Sequence, residues 1–340
     1  MNVHSSDNKL VLQDTHVSIA KVCMENDFAG ADGILGLAFH QLNPCHDLSI
    51  HMQENMISPA LTYPWRQLAT KTPTIKEFHQ FLQTQPQRDI EPYYTQLERQ
   101  GVALNKFSFL AKRSSVHKGS AKATQSQLIS DPLNQGCFIL GGGTEQTTMY
   151  QGSFKRIRVI EDVYYNVRLL KVKVAGFDAF DVPLLKGKEL RKHHSNAFID
   201  TGASLIVLEK AVFSYVINCF EQINSNFKKL LQPFLCFDGT ERGIAMNKLK
   251  LDEWPDIEFI FEAAMDSQDK QQSIFCKAKN YWQINAPQYN QATFKIISQL
   301  PGWPQQTILG LPLICDYYVI FARFENDYGD IKFAQASTSA

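Results

Sequence analysis

At 340 residues, 44% of them hydrophobic, the chain is long enough for two well-packed domains. Its 34 Lys+Arg balance 34 Asp+Glu, so no net field selects for nucleic acid or an anionic membrane, and no basic cluster is interleaved with aromatics. No uninterrupted apolar run approaches the roughly 20 residues of a membrane-spanning helix.

Met1 to Lys9 are polar and lack the apolar core and cleavage site of a secretory signal. This implies either a cytosolic protein or a true N-terminus upstream of Met1. Cysteines stand at 23, 45, 137, 219, 236, 276 and 315, with no C-x-x-C pair and no zinc-type spacing. An odd count leaves one thiol over if the others pair, so cysteine usage alone does not set the compartment.

In chain order, the first feature is Gly33-Ile34-Leu35-Gly36-Leu37-Ala38. Helices are predicted from about Ile75 to Leu82 and from Tyr93 to Gln100. Phe107 to Leu110 and Cys137 to Leu140 read as strands, separated by a polar, exposed loop from Ser114 to Pro132. Gly141-Gly142-Gly143 reads as a tight turn, because no G-K-[ST] or G-x-G-x-x-G pattern follows to make it a phosphate loop. Tyr165 to Val174 reads as extended, and Leu185 to Asn196 as a basic break whose His193 and His194 lie on a solvated loop. Spacings of three and four from Val212 to Ile223 predict one helix over Leu208 to Phe227. Ile257 to Phe261 and Tyr317 to Phe321 are further strands. Many short strands and few helices predict an all-β protein of the sandwich or barrel type.

Thr307-Ile308-Leu309-Gly310-Leu311-Pro312 echoes the segment at 33–38, which suggests two related halves. Glycine in such a signature suits a close backbone approach that a side chain would block. Upstream of the second copy lies Phe198-Ile199-Asp200-Thr201-Gly202-Ala203-Ser204. Apolar flanks would bury Asp200, and a buried carboxylate demands partners. Gly202 permits a tight turn, and Thr201 and Ser204 can donate hydrogen bonds. The alternative is a strand that merely ends in an Asx-type turn.

D-T-G-A-S after Phe-Ile, then Ile-Leu-Gly and Asp316 to Phe321, resembles the C-terminal lobe of pepsin-like aspartic peptidases. Ala31 to Ala38, Leu104 to Leu110, Gly136 to Gly143 with Tyr150-Gln151-Gly152, and Trp254 to Phe259 resemble that family's other motifs, in its order. Thr144-Glu145, Leu311 and Ala322 depart from its usual residues. The resemblance implies an all-β, bilobal acid-protease fold with an incomplete N-terminal lobe over 1–150 and a C-terminal lobe over 151–340.

It also implies an aspartic endopeptidase without metal or cofactor, acting on a polypeptide substrate, or held by an inhibitor, in a cleft between lobes. Asp200 would be one of two catalytic carboxylates, with Thr201, Gly202 and Ser204 shaping its loop. Ile308 and Gly310 would pack behind that loop. Cys236 and Cys276 fall where the family has a disulfide, and the family suggests a secreted or vacuolar setting.

Two carboxylates in one site cannot both ionise, so one holds a proton while the other acts as base. Asp200 precedes Ile308 by 108 positions, so by pseudo-symmetry the partner aspartate and the flap are expected before Met1. Asp14 and Asp32 correspond to structural positions of the family. The chain as it stands is thus expected to be incomplete or inactive. The alternatives are a catalytically dead scaffold that binds peptides or proteins, and a site shared between two copies.

Overall fold

The computed structural model describes residues 34–39, 44–57, 75–89, 91–101, 103–161, 163–323 and 328–337. Asp14, Asp32 and Cys23 lie outside them. The chain divides into two compact units, one within Leu10–Val102 and the other comprising chiefly Ala103–Ala340.

In the first unit, Pro44–His46 pairs antiparallel with Gln87–Asp89. Helices span Ser49–Glu54, Ile75–Gln83 and Tyr93–Arg99, the last two at the positions expected from periodicity. Phe39, Ile57, Tyr94 and Leu97 are buried. Gln96 Nε2 donates to Glu91 O at 2.9 Å, and Arg99 pairs with Glu91 at 3.0 Å.

The second unit consists mostly of sheets. One is five-stranded and antiparallel, in the order Gly136–Leu140, Lys106–Ala111, Tyr317–Arg323, Gly329–Ala336 and Tyr150–Arg158. Its central strand, Tyr317–Arg323, is buried at every residue. The Phe107 and Phe321 rings stack at 4.7 Å across neighbouring strands. Gly141, at φ +68°, turns the chain after Gly136–Leu140, as the triple glycine predicts.

Three further sheets build the rest, and none of the sheets among the described residues closes into the barrel that the strand pattern allowed. A four-stranded antiparallel sheet runs Gln271–Cys276, Ile257–Glu262, Leu169–Val174, Phe180–Asp181. Ile257–Glu262 alternates buried and half-buried residues, the period-two signature of a strand with one face on a core. A three-stranded sheet contains Ile244–Ala245, Gln291–Phe294 and Trp282–Ile284. The fourth sheet carries the candidate site and is described below.

The helical stretch expected over Leu208 to Phe227 is two helices, Lys210–Ile223 and Ser225–Leu231. Asn224 is extended between them, and its side-chain oxygen accepts from Asn226 N at 3.0 Å, which stops one helix and caps the next. Val212, Val216, Cys219 and Phe220 bury one stripe of the first helix. Phe220, Phe227, Trp254, Tyr281, Trp282 and Phe294 form an aromatic cluster, with Phe227 stacked on Trp254 at 3.8 Å. Burying each large apolar side chain is worth about 1.5–3 kcal/mol, so this cluster is a principal source of cohesion.

Two segments expected as loops contain helices. In Ser114 to Pro132, Gln125–Ser130 is helical behind a capping box in which Thr124 and Gln127 satisfy each other's backbone amides. In Leu185 to Asn196, Gly187–His193 is helical with no buried residue, which is why apolar periodicity gave no sign of it.

The expected bridge between Cys236 and Cys276 is absent. Cys236 is exposed, whereas Cys276 is fully buried, and both thiols are free. The Cys276 thiol donates to the Pro312 carbonyl oxygen at 3.2 Å, and burial pushes its ionisation well above the ordinary thiol value. One cysteine faces solvent and the other the core, so the pair is not placed to bond.

Candidate active site

The fourth sheet orders its strands Ile296–Ser298, Ile206–Leu208, Thr307–Leu309, Ala197–Ile199 and Asn166–Val167. Asp200 stands at the end of Ala197–Ile199, a short apolar strand, and the chain returns through Ile206–Leu208. Thr307–Leu309 lies between those two strands, parallel to the first and antiparallel to the second. The turn carrying Asp200 is therefore clasped from behind by a strand about 100 residues later in the chain.

The clasp is made by the backbone. Asp200 N donates to Leu309 O at 3.1 Å, and Leu311 N donates to Ala203 O at 2.8 Å. A Cβ on Gly310 would stand 2.2 Å from Leu205 O and 2.3 Å from Ala203 O, so only glycine lets the strand pass this close. Gly310 thus packs behind the loop as expected, and half-buried Ile308 precedes it on the same strand.

Within the turn, Gly202 N donates to Asp200 Oδ1 at 2.8 Å and Ala203 N to Asp200 O at 3.3 Å. The aspartate so closes an Asx turn on itself and is half-buried, with Thr201 half-buried beside it. Gly202 and Ser204 are exposed. Among the described residues, the Gly202 amide is the one hydrogen-bond donor to the Asp200 carboxylate, and Ser204 makes no side-chain hydrogen bond. Among the described residues the second carboxylate oxygen has no hydrogen-bond donor.

Buried polar side chains that sequence reasoning did not single out hold the strand leading into Asp200. Asn196 accepts from Leu169 N at 3.1 Å and donates to Leu169 O at 2.8 Å and Pro183 O at 3.2 Å. Ser195 Oγ donates to Ala197 O at 2.6 Å and accepts from Asn166 Nδ2 at 2.8 Å. Gln306 Nε2 donates to the carbonyls of His193 and Ser195 at 2.9 and 2.8 Å. Leaving a buried donor or acceptor unmet costs about 1–3 kcal/mol, so this network fixes the strand's position. Its only sequence trace is a polar Ser-Asn pair immediately before an apolar strand.

Ser204 and Leu205 open onto a cavity of about 140 Å³, lined also by Phe234, Glu241, Lys295 and Ile297. Lys295 is 3% exposed and paired with Glu241, which also accepts from Ser115 Oγ at 2.9 Å. Burial draws the Lys295 ammonium below the ordinary lysine value, and the Glu241 charge opposes that shift. The cavity is large enough for one side chain of a bound peptide, with an apolar wall and a charged one.

His193 and His194 do not converge on a metal site. They lie 3.5 Å from Glu189 and Glu161 respectively, and no group of three ligating side chains occurs among the described residues. No helix among the described residues is long and apolar enough to cross a membrane.

The clasped Asp-Thr-Gly turn thus lies beside a side-chain-sized cavity. The family model described as eukaryotic aspartyl protease matches residues 94–336. No curated protein matches the chain. With that match covering most of its length, the chain belongs to the eukaryotic aspartyl protease family, whose members hydrolyse peptide bonds.

Proposed function

We propose that the protein is an aspartic endopeptidase in which Asp200 supplies one of the two catalytic carboxylates. The observation that carries this reading is the clasp at Gly310, which fixes the Asp200 turn while leaving one carboxylate oxygen without a donor among the described residues. Thr201 and Gly202 shape the turn, and Ser204 leads from it to the neighbouring cavity. In this reading residues 1–150 and 151–340 are the two lobes.

The chemistry needs a second carboxylate facing Asp200. The ionised member removes a proton from water as the water oxygen bonds to the peptide carbonyl carbon. The protonated member donates to the carbonyl oxygen, and the carbon–nitrogen bond then breaks as the nitrogen takes a proton. The polypeptide lies across Asp200 with one side chain directed at the Leu205–Lys295 cavity. The family's secreted or vacuolar habit is the setting we assign.

A second reading is favoured by one observation. Among the described residues one D-T-G turn is present, and no second carboxylate meets Asp200. A scaffold with that site would bind peptides without cutting them. Peptide hydrolysis by the protein and by Asp200→Asn from acid to neutral pH separates the two. Loss of cleavage in a folded variant supports the peptidase, while peptide binding without turnover in both supports the scaffold.

A further inference from the structure

The cavity beside Ser204 has a charged wall whose parts are each fixed by the fold. Lys295 stands between the strands Gln291–Phe294 and Ile296–Ser298, and its backbone is tied in both directions. Its amide donates to Tyr281 O at 2.8 Å, and its carbonyl accepts from Ile206 N at 2.8 Å. Ile206 opens the strand that leaves the Asp200 turn, so the lysine is anchored to that strand. Its side chain is 3% exposed, and the ammonium pairs with Glu241 Oε1.

Glu241 is held in turn by Ser115, whose Oγ donates to the same oxygen at 2.9 Å from 126 positions earlier in the chain. The other carboxylate oxygen has no hydrogen bond among the described residues, and the side chain is 42% exposed. An ammonium has three N–H groups, and the pair with Glu241 uses one of them. Arg242 lines the same cavity, but its guanidinium is taken up by Asp238 at 2.5 Å and by the Cys236 carbonyl at 2.8 Å. The Lys295–Glu241 pair therefore sets spare donors from a buried cation next to a spare acceptor from an anion, with no net charge.

A side chain entering the cavity is sorted by what it does to that pair. A carboxylate or an ammonium would meet one partner of opposite charge and one of like charge, and would lose its own hydration. An apolar side chain would cover the pair and leave its donors and acceptor unmet. A primary amide is uncharged and carries an acceptor and two donors on one planar group. Its oxygen can accept from Lys295 while its NH2 donates to Glu241.

We propose that this cavity selects a primary amide, the side chain of glutamine or asparagine, at one position of the bound polypeptide, with Lys295 and Glu241 setting the specificity. The proposal rests on the reading of the Asp200 site as the place where a polypeptide binds. The stem of the amide packs on the apolar wall formed by Leu205, Phe234 and Ile297.

The test is capture of a random octapeptide library by the full chain, with retained peptides sequenced by mass spectrometry and their cleavage followed in parallel. Glutamine or asparagine should be enriched at one position at least about tenfold over leucine, glutamate and lysine, since one hydrogen bond to a charged group is worth about tenfold or more. Glu241→Gln leaves the Lys295 charge alone and should turn the preference toward glutamate. Lys295→Met leaves Glu241 alone and should turn it toward lysine and arginine. Circular dichroism verifies that both variants fold. If the buried substitution at Lys295 prevents folding, Glu241→Gln, at a partly exposed site, still reads the switch.

An apolar or charged preference in the parent, or a preference that Glu241→Gln does not move, overturns the proposal. Cleavage without an amide preference overturns it while leaving Asp200 catalytic. Capture with the amide preference but without cleavage upholds the cavity and refutes the peptidase. A folded chain that neither retains nor cuts any peptide overturns both.

Discussion

The two copies of the Ile-Leu-Gly signature share a sequence and differ in every physical respect. In the second copy Leu309 is fully buried, and a Cβ on Gly310 would collide with two backbone carbonyls. In the first, Ile34 is 81% exposed and Leu35 49%, and a Cβ on Gly36 would meet nothing within 4 Å among the described residues. A short apolar-Gly motif does not itself demand glycine. The demand comes from the Asp200 turn, whose strands grip Thr307–Leu309 from both sides.

The largest difference between the two copies is expected at their glycines. Gly310→Ala must push apart Leu205, Ala203 and the strand behind them, and is expected to cost more than about 4 kcal/mol or abolish folding of the larger unit. Gly36→Ala should stay within about 0.5 kcal/mol of the parent, the range of surface changes. Urea unfolding of both variants tests this. Equal midpoints for the two would mean that the clasp does not constrain the turn.

Next in size are the leucines. Leu309→Ala removes a fully buried side chain and should cost about 2–5 kcal/mol, whereas Leu35→Ala should change stability by less than about 0.5 kcal/mol. Thermal unfolding of the pair gives the contrast directly.

Alkaline titration sharpens the same picture, because the chain leaving Gly310 carries ionisable groups into the core. Burial pushes Cys315, Tyr317 and Tyr318 up to about 12, from ordinary values of 9.0 for the thiol and 10.0 for the phenols. Raised values in the folded state mean that the native protein holds protons the unfolded chain releases. Their contribution to stability is complete below pH 9 and is lost progressively as pH climbs toward about 12. Denaturant midpoints measured across that interval should fall, and a flat profile would contradict the burial of these side chains.

The smallest expected effect is none. Because Cys236 and Cys276 are free, a reductant should leave the unfolding temperature unchanged. A drop would restore the disulfide that the family resemblance implied.

What the sequence made legible follows from how local each cause is. Ile257–Glu262 announces itself by alternation, and the Asp200 turn by an acid followed by Thr-Gly after an apolar strand. The Gln125–Ser130 helix was also legible in principle, through Thr124 and Gln127, but its polar composition read as loop. The Gly187–His193 helix was not, because nothing in it is buried. Ser195, Asn196 and Gln306 were silent for the opposite reason. Their polarity looks like a surface loop until the fold closes around them and each finds a backbone partner. The break at Asn224 shows a middle case, in which one side-chain cap divides a continuous apolar period.

Hydrolysis of a mixed peptide pool decides whether Asp200 is a catalytic carboxylate. The protein and its Asp200→Asn variant would be compared from acid to neutral pH, with folding of both verified by circular dichroism. If Asp200 is catalytic, cleavage falls by about 10³-fold or more in the variant. Cleavage undiminished in Asp200→Asn would place the chemistry elsewhere, and a folded parent that binds peptides without cutting them would leave Asp200 part of a binding site.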